Sequence, residues 1–107
     1  MYTEKDIESM KDIILKDIPE VSGIILFGSY ARGTAKEGSD MDFMILTRRI
    51  FDRKEKLKTL ANLRWDIAFA GYNADVLLKH VDNHKLDVKE ATLSRVINRE
   101  GKMIWQK

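Results

Sequence analysis

Apolar residues near the start of the chain recur three or four positions apart, which is the spacing of one face of an α-helix. These residues are Ile7, Met10, Ile14 and Ile18. Thr3 and Asp6 stand at the beginning of this segment in an arrangement typical of a helix cap, and Pro19 follows its last apolar position. The pattern therefore predicts a first helix that ends before Pro19.

Short continuous apolar runs predict strands in the rest of the chain. They occupy residues 23–27, 41–46, 74–78 and, as a terminal edge strand, 103–105. Helical spacing predicts a helix over about 53–70, capped by Asp52, and a last helix that runs to about Glu100. This alternation predicts an α/β (α+β) fold with a small mixed β-sheet and helices packed mainly on one face. Because no repeat or linker is visible, we expect one domain over residues 1–107.

Composition narrows the class of protein. Of the 107 residues, 44% are hydrophobic and 34% are charged, a mixture typical of a soluble domain. No apolar run approaches the roughly 20 residues of a membrane helix, and no secretory signal core is visible. The chain has no cysteine, which excludes disulfides and thiolate metal sites and fits a cytoplasmic protein. A net charge of +2 is too small to indicate nucleic-acid binding.

Asp40 and Asp42 open the second apolar run and stand one residue apart. Residues i and i+2 of a strand point to the same face, so the two carboxylates are expected to project side by side. Such a pair resists loss of solvent unless a cation joins it, and hard oxygen ligands of this kind suit Mg²⁺. The pattern indicates a metal site, with two solvated aspartates at a strand entrance as the alternative.

A Gly-Ser pair, Gly28 and Ser29, directly follows the first apolar run. Glycine there permits a sharp turn and a close approach of the backbone to a ligand, and Ser29 is placed to cap a short helix beside free amides. Arg32 and Gly33 add a cation and a second permissive backbone position. No Gly-Lys-Ser/Thr follows, so this is not a Walker-type loop. We predict a nucleotide phosphate site here; the alternative is an ordinary strand-to-helix turn.

Asp75 lies near the start of the third predicted strand. Adjacent strands lie about 4.8 Å apart, so pairing with the second strand would bring Asp75 close to Asp40 and Asp42. Three carboxylates could then hold two metal ions about 3.5–4 Å apart. Asp66, in the middle of the predicted helix over 53–70, is the rival third carboxylate, although a solvated helix face explains it more simply.

Two further patterns carry weaker signals. Basic residues cluster from Arg48 to Lys58, which a charged helix face explains more simply than a docking surface. His80 and His84 stand four residues apart, but the chain has no further His or Cys to complete a zinc site. Neither pattern changes the interpretation.

The segment around the Gly-Ser pair resembles a known signature. Gly28-Ser29, ten intervening residues and Asp40-x-Asp42 are similar to the motif of the DNA polymerase beta nucleotidyltransferase superfamily. The wider string from Gly28 to Thr34 resembles its minimal nucleotidyltransferase (MNT) branch, and the likeness covers most of the chain. The resemblance implies a polymerase beta-like nucleotidyltransferase fold, with a nucleotide triphosphate bound at the Gly-Ser turn. It also implies two Mg²⁺ ions bound by the carboxylates of Asp40 and Asp42, with Asp75 as the third carboxylate.

The resemblance also implies an activity and a partner. Many minimal members are antitoxins of HEPN-type helical toxins, and some are similar to enzymes that add AMP to a toxin tyrosine. The implied reaction transfers AMP from Mg-ATP to a hydroxyl, with Asp40, Asp42 and Asp75 as catalytic residues. Because 107 residues leave no room for a second domain, we expect a partner or a homodimer to complete the acceptor site. The alternatives are transfer to a small molecule or an RNA end, as in aminoglycoside-modifying relatives, and neutralisation of a toxin by binding alone.

Overall fold

The computed structural model describes residues 1–88 and 93–107. Its elements are α1 (Glu4–Asp17), β1 (Val21–Phe27), α2 (Ser29–Arg32), β2 (Met41–Thr47), α3 (Arg53–Phe69), β3 (Ala74–His80), α4 (Val81–Val88), α5 (Leu93–Glu100) and β4 (Lys102–Gln106). All four predicted strands are present. The predicted last helix corresponds to α4 and α5, and its middle part, residues 89–92, lies outside the described residues. No described helix is both long and apolar enough to cross a membrane.

The four strands form one mixed sheet in the order β3-β2-β1-β4. β1 runs antiparallel to both β2 and β4, whereas β2 and β3 run parallel. The parallel pair requires a crossover connection, which α3 supplies between the two strands. β3 and β4 are therefore the edges of the sheet, and the predicted edge strand at 103–105 is confirmed.

The first helix has the cap and the buried face that its sequence predicts. The Thr3 amide donates to Asp6 Oδ2 at 2.7 Å, and the Asp6 amide donates to Thr3 Oγ1 at 3.4 Å. A cap of this kind contributes about 1 kcal/mol. Met10, Ile14 and Ile18 are at most 1% exposed, and they pack in the same core as buried residues of α3.

The two faces of the sheet carry cores of different size. On what we call the first face, α1 and α3 cover a large core centred on fully buried residues, namely Ile24, Phe43, Ile45 and Leu63. The alternate strand positions point to the second face and form a smaller cluster with α5, namely Ile25, Met44, Leu46 and Ile97. The two longest helices thus lie on the first face, and α5 covers part of the second.

Candidate active site

Strand pairing places two of the predicted acidic residues beside each other. In the parallel pair, Asp42 of β2 stands opposite Asp75 of β3. Asp42 lies two positions before Met44, which packs on the second face, so both carboxylates project from that face. Asp40 lies directly ahead of β2, two positions before Asp42. Asp40 and Asp75 are exposed and Asp42 is half-buried, so the carboxylates remain open to a ligand.

The pKa of Asp42 reflects the crowding of negative charge at this point. Burial raises the pKa of the Asp42 carboxyl above its ordinary value, and the charges of Asp75 and Asp40 raise it further. The positive charge of Arg32 acts in the opposite direction. The ionised form of Asp42 is therefore disfavoured by its surroundings, and a cation bound to these carboxylates would favour it again.

Gly28 lies against Asp42 in a backbone conformation that favours glycine. Its φ of 75° and ψ of −154° fall in a region that other residues rarely adopt. An ideal Cβ at this position would overlap Asp42 Oδ2 and would lie 3.0 Å from Asp42 Cγ. The approach follows from the sheet, because Phe27, the residue before Gly28, pairs with Asp42. The Gly-Ser turn and the acidic strand therefore belong to one site.

Gly28, rather than Ser29, occupies the cap position of the short helix α2. The prediction that Ser29 caps this helix is wrong, because the chain turns one residue earlier, at the glycine that permits a positive φ. Ser29 is half-buried, and its hydroxyl has no hydrogen-bond partner within the described part of the chain. That hydroxyl is consequently available to a bound molecule.

Arg32 and Gly33 complete the turn and connect it to α5. Gly33 ends α2 with φ of 75° and ψ of 21°, and its amide donates to the Ser29 carbonyl. Arg32 Nη1 lies 3.8 Å from Glu100 Oε2 at the end of α5, and 49% of the Arg32 side chain remains exposed. The site is thus bordered on the second face by α5, and the half-exposed Arg32 cation lies near Asp42.

Tyr2 and Tyr30, which no sequence pattern singles out, hold the surrounding segments together. The Tyr2 amide donates to the Tyr30 hydroxyl at 3.0 Å, and the Asn73 amide donates to the Tyr2 hydroxyl at 2.8 Å. The Met41 amide in turn donates to the Asn73 carbonyl at 3.2 Å. These bonds join α2, the chain start and the beginnings of β2 and β3. Their partners lie 28 and 71 residues apart, so no local pattern could indicate them.

Asp66, the rival third carboxylate, lies away from this site. It belongs to α3 on the first face and contacts Asp17 of α1. Burial raises the pKa of Asp17 to about 6, and a hydrogen bond with Asp66 and its negative charge act in the same direction. Asp17 and Asp66 therefore form a separate acidic contact between two helices, whereas the residue in register with Asp42 is Asp75.

His80 and His84 have separate environments. His80 Nε2 lies 2.8 Å from the Arg48 carbonyl oxygen. His84 is 4% exposed, and neither of its ring nitrogens has a hydrogen-bond partner among the described residues. Burial lowers the pKa of His84, as does the nearby charge of Lys79, so the neutral imidazole is favoured.

The donor set at Asp42 suits a hard divalent cation. Across residues 1–88 and 93–107, no three His, Cys, Asp or Glu side chains are grouped closely enough to hold a metal ion by themselves. The site with three carboxylates and two metals therefore stays a prediction. Two carboxylates in register and a third two residues away nevertheless match the chemistry of Mg²⁺, which is usually held by one or two carboxylates together with water and substrate phosphates.

Comparison with known proteins supplies independent evidence. The sequence profile of the family described as nucleotidyltransferase domain matches residues 7–103. A protein of Methanocaldococcus jannaschii is 45% identical over 67 residues, 56% of this chain and 66% of that protein. Protein adenylyltransferase MntA of Shewanella oneidensis is 33% identical over 94 residues, 86% of this chain and 60% of MntA. The chain thus spans less than two thirds of MntA.

Among solved structures, the chain is similar in fold to a chain in the structure of a tri-AMPylated Shewanella oneidensis HEPN toxin in complex with an MNT antitoxin. The match has a TM-score of 0.54 and 20% sequence identity, and it covers 94% of this chain and 69% of that chain. At this level of identity the match shows a shared fold.

Proposed function

Because the chain belongs to the nucleotidyltransferase domain family, we propose that it transfers the adenylyl group of ATP to a hydroxyl group of a partner protein. We further propose that this partner is a HEPN-type toxin, that a tyrosine supplies the hydroxyl, and that the transfer neutralises the toxin. The observation that carries the proposal is the geometry at Asp42. Asp42 lies against the backbone of Gly28 on one side and stands in register with Asp75 of β3 on the other side.

The Gly-Ser turn is assigned to the triphosphate. The Ser29 hydroxyl, which has no partner among the described residues, and the amides of the turn would donate hydrogen bonds to phosphate oxygens. Only a backbone without Cβ at Gly28 leaves room for Asp42 at this point, so phosphates and carboxylates can be held next to one another. The exposed Arg32 guanidinium adds positive charge on the same side.

The transfer itself needs an acceptor oxygen and a group that takes its proton. The acceptor oxygen attacks the α-phosphorus of ATP and forms a new P–O bond. The bond between that phosphorus and the α,β-bridging oxygen breaks, and pyrophosphate leaves with the electron pair. Asp75 is exposed at the edge of the sheet and is assigned to accept the hydroxyl proton. Such a reaction depends on positioning and charge stabilisation, so no covalent nucleophile is required.

We propose that the site holds two Mg²⁺ ions, and the residues that would bind them are Asp40, Asp42 and Asp75. When bound, Mg²⁺ neutralises charge on the phosphate oxygens and on the leaving pyrophosphate. The raised pKa of Asp42 supports this assignment, because its first causes are burial and the neighbouring carboxylates, and a bound cation would offset both.

The partner assignment rests on the relatives. MntA of Shewanella oneidensis carries the name of a protein adenylyltransferase, and the structure with a similar fold holds an AMPylated HEPN toxin with its antitoxin. The site of the present chain opens on the second face at the sheet edge, where a large acceptor can approach Asp75. A protein hydroxyl therefore suits this site better than a small molecule that needs a closed pocket.

The test uses the chain together with a candidate acceptor, a HEPN-type protein. Both are incubated with Mg²⁺ and ATP labelled either at the α- or at the γ-phosphate, and labelled protein is measured. Adenylyl transfer labels the partner only from α-labelled ATP. Asp42→Asn and Asp75→Asn are expected to lower the rate at least about 10²-fold, since loss of a general base alone typically costs 10²–10⁴-fold.

Asp82→Asn is the matched control. It makes the same chemical change at an exposed aspartate of α4, outside the proposed site. Asp82→Asn should transfer at the wild-type rate. Full transfer by both site variants, or label only from γ-labelled ATP, would contradict the proposed function. Binding of the partner without any labelling would indicate neutralisation by contact alone.

A further inference from the structure

A groove follows the free edge of the sheet next to the proposed active site. β3 is an edge strand, and among the described strands it pairs only with β2. Its residues 76–80 line a groove of about 500 Å³, which we call the β3 groove. Because side chains of a strand alternate between faces, a groove lined by five successive residues follows the strand edge and not a single face. The groove begins one residue after Asp75.

Two walls border the β3 groove. On the first face, α3 contributes Lys56, Leu60 and Arg64. On the second face, α5 contributes Leu93 and Ser94. Leu93 is 60% exposed and Leu77 of β3 is 38% exposed, so apolar surface remains uncovered inside the groove. An unpaired strand edge between two walls is the geometry that binds an extended peptide by strand addition.

The charge of the β3 groove is one-sided. Its described lining includes four basic side chains, namely Arg49, Lys56, Lys79 and Arg64, and no acidic one. Arg49 is paired with Glu20 at 2.7 Å and with Glu55, and Lys79 is paired with Asp87. Lys56 and Arg64 have no ion-pair partner within residues 1–88 and 93–107. These two cations of the α3 wall, which have no ion-pair partner in the described part of the chain, favour an occupant that carries negative charge.

We propose that the β3 groove binds an extended acidic segment of the acceptor protein, which pairs with the edge of β3 and brings the acceptor hydroxyl to Asp75. This inference rests on the proposed function, since it assigns the route by which the acceptor enters that site. Five residues of strand span roughly 16 Å at about 3.3 Å each. Asp75 immediately precedes residue 76 in β3. A segment paired with residues 76–80 therefore brings its next residue level with Asp75, and we assign the acceptor hydroxyl to that residue.

A second copy of the chain fits the groove less well. Joining two β3 edges would bring the Lys56 and Arg64 side chains of both copies to the same interface, and like charges brought together oppose association. An acidic peptide meets the same two side chains with opposite charge. It also leaves the second face open for ATP.

The test uses fluorescein-labelled random copolymers as probes. A glutamate–tyrosine copolymer and a lysine–tyrosine copolymer are titrated into the full chain, and fluorescence anisotropy measures binding. The acidic copolymer should bind at least tenfold more tightly than the basic one. Lys56→Glu/Arg64→Glu should weaken its binding about tenfold or more, because each reversal replaces an attraction by a repulsion. Lys54→Glu/Lys58→Glu is the control, with the same charge change on exposed positions of α3 outside the groove.

Amide hydrogen exchange then locates the bound copolymer. Protection of residues 76–80, with β4 unchanged, is the expected result. Equal affinity for both copolymers, equal loss in the control variant, or protection at β4 alone would overturn the proposal. Protection of β3 in a chain that dimerises without copolymer would also overturn it in favour of a second copy.

Transfer of label from α-labelled ATP to the copolymer tyrosines separates this proposal from the proposed function. Selective binding at β3 with no label on any tyrosine would support the groove and count against adenylyl transfer. Equal labelling of both copolymers, unchanged by Lys56→Glu/Arg64→Glu, would support the transfer and refute the groove.

Discussion

Gly28→Ala is the change that most directly tests whether the Gly-Ser turn and Asp42 act as one site. The added Cβ would overlap Asp42 Oδ2 and would lie 3.0 Å from Asp42 Cγ, closer than side-chain Cβ atoms normally approach. The Asp42 carboxylate must therefore move away from the turn. The substitution should disturb nucleotide transfer far more than it disturbs the fold.

The size of the two effects can be worked from the backbone and the contact. Gly28 has φ of 75° and ψ of −154°, a conformation that costs a residue with a side chain about 1–3 kcal/mol. A domain of this size typically has a free energy of unfolding of about 5–15 kcal/mol, so the variant should remain folded. A displacement of about 1 Å at a catalytic group can lower a rate about 10²-fold, and we expect a loss of that order.

Gly71→Ala is the matched control, because Gly71 also has a positive φ, of 85°, but a Cβ there meets no atom of the described residues within 4 Å, its chain neighbours aside. The positive φ of Gly71 costs a residue with a side chain about 1–3 kcal/mol. Urea unfolding followed by circular dichroism should give both variants a similar loss of unfolding free energy. Transfer from α-labelled ATP should fall about 10²-fold in Gly28→Ala alone. If Gly28→Ala transferred at the rate of Gly71→Ala, the close approach of Gly28 to Asp42 would have no role in the reaction.

Three further predictions concern charge. Binding of ATP, measured by calorimetry, should require Mg²⁺ and should be lost in Asp40→Asn/Asp42→Asn; undiminished affinity in EDTA would contradict the metal assignment. Arg32→Gln removes the charge that lowers the pKa of Asp42, so the acid limb of the pH–rate profile should move to higher pH, and an unchanged limb would exclude this coupling. Because the folded-state pKa of Asp17 is about 6 against an ordinary 3.8, its protonated form stabilises the fold at low pH, and this contribution is lost as the pH rises through about 6. The free energy of unfolding should therefore fall between pH 3.8 and about pH 6, and this fall should be smaller in Asp17→Asn. A fall of the same size in the variant would show that another group causes it.

Local patterns along the chain predict most elements of this fold and two features of the candidate site. Apolar spacing predicted α1 and the four strands, and the Thr3–Asp6 cap is present as expected. The Asp-x-Asp spacing predicts Asp40 and Asp42 side by side, and the structure has Asp40 directly ahead of β2, two positions before Asp42. The Gly-Ser pair predicts the turn that follows β1. These features depend on neighbours within a few residues, because backbone geometry and side-chain alternation are local properties.

The tertiary structure alone decided which distant residues meet. The register of the parallel pair brings Asp75 opposite Asp42, and the turn at Gly28 packs on the same carboxylate. The order of the strands makes β3 an edge, and the packing of α5 places Glu100 beside Arg32. Such contacts join segments far apart in the chain, and their choice depends on how the whole core packs. No spacing within the sequence contains that information.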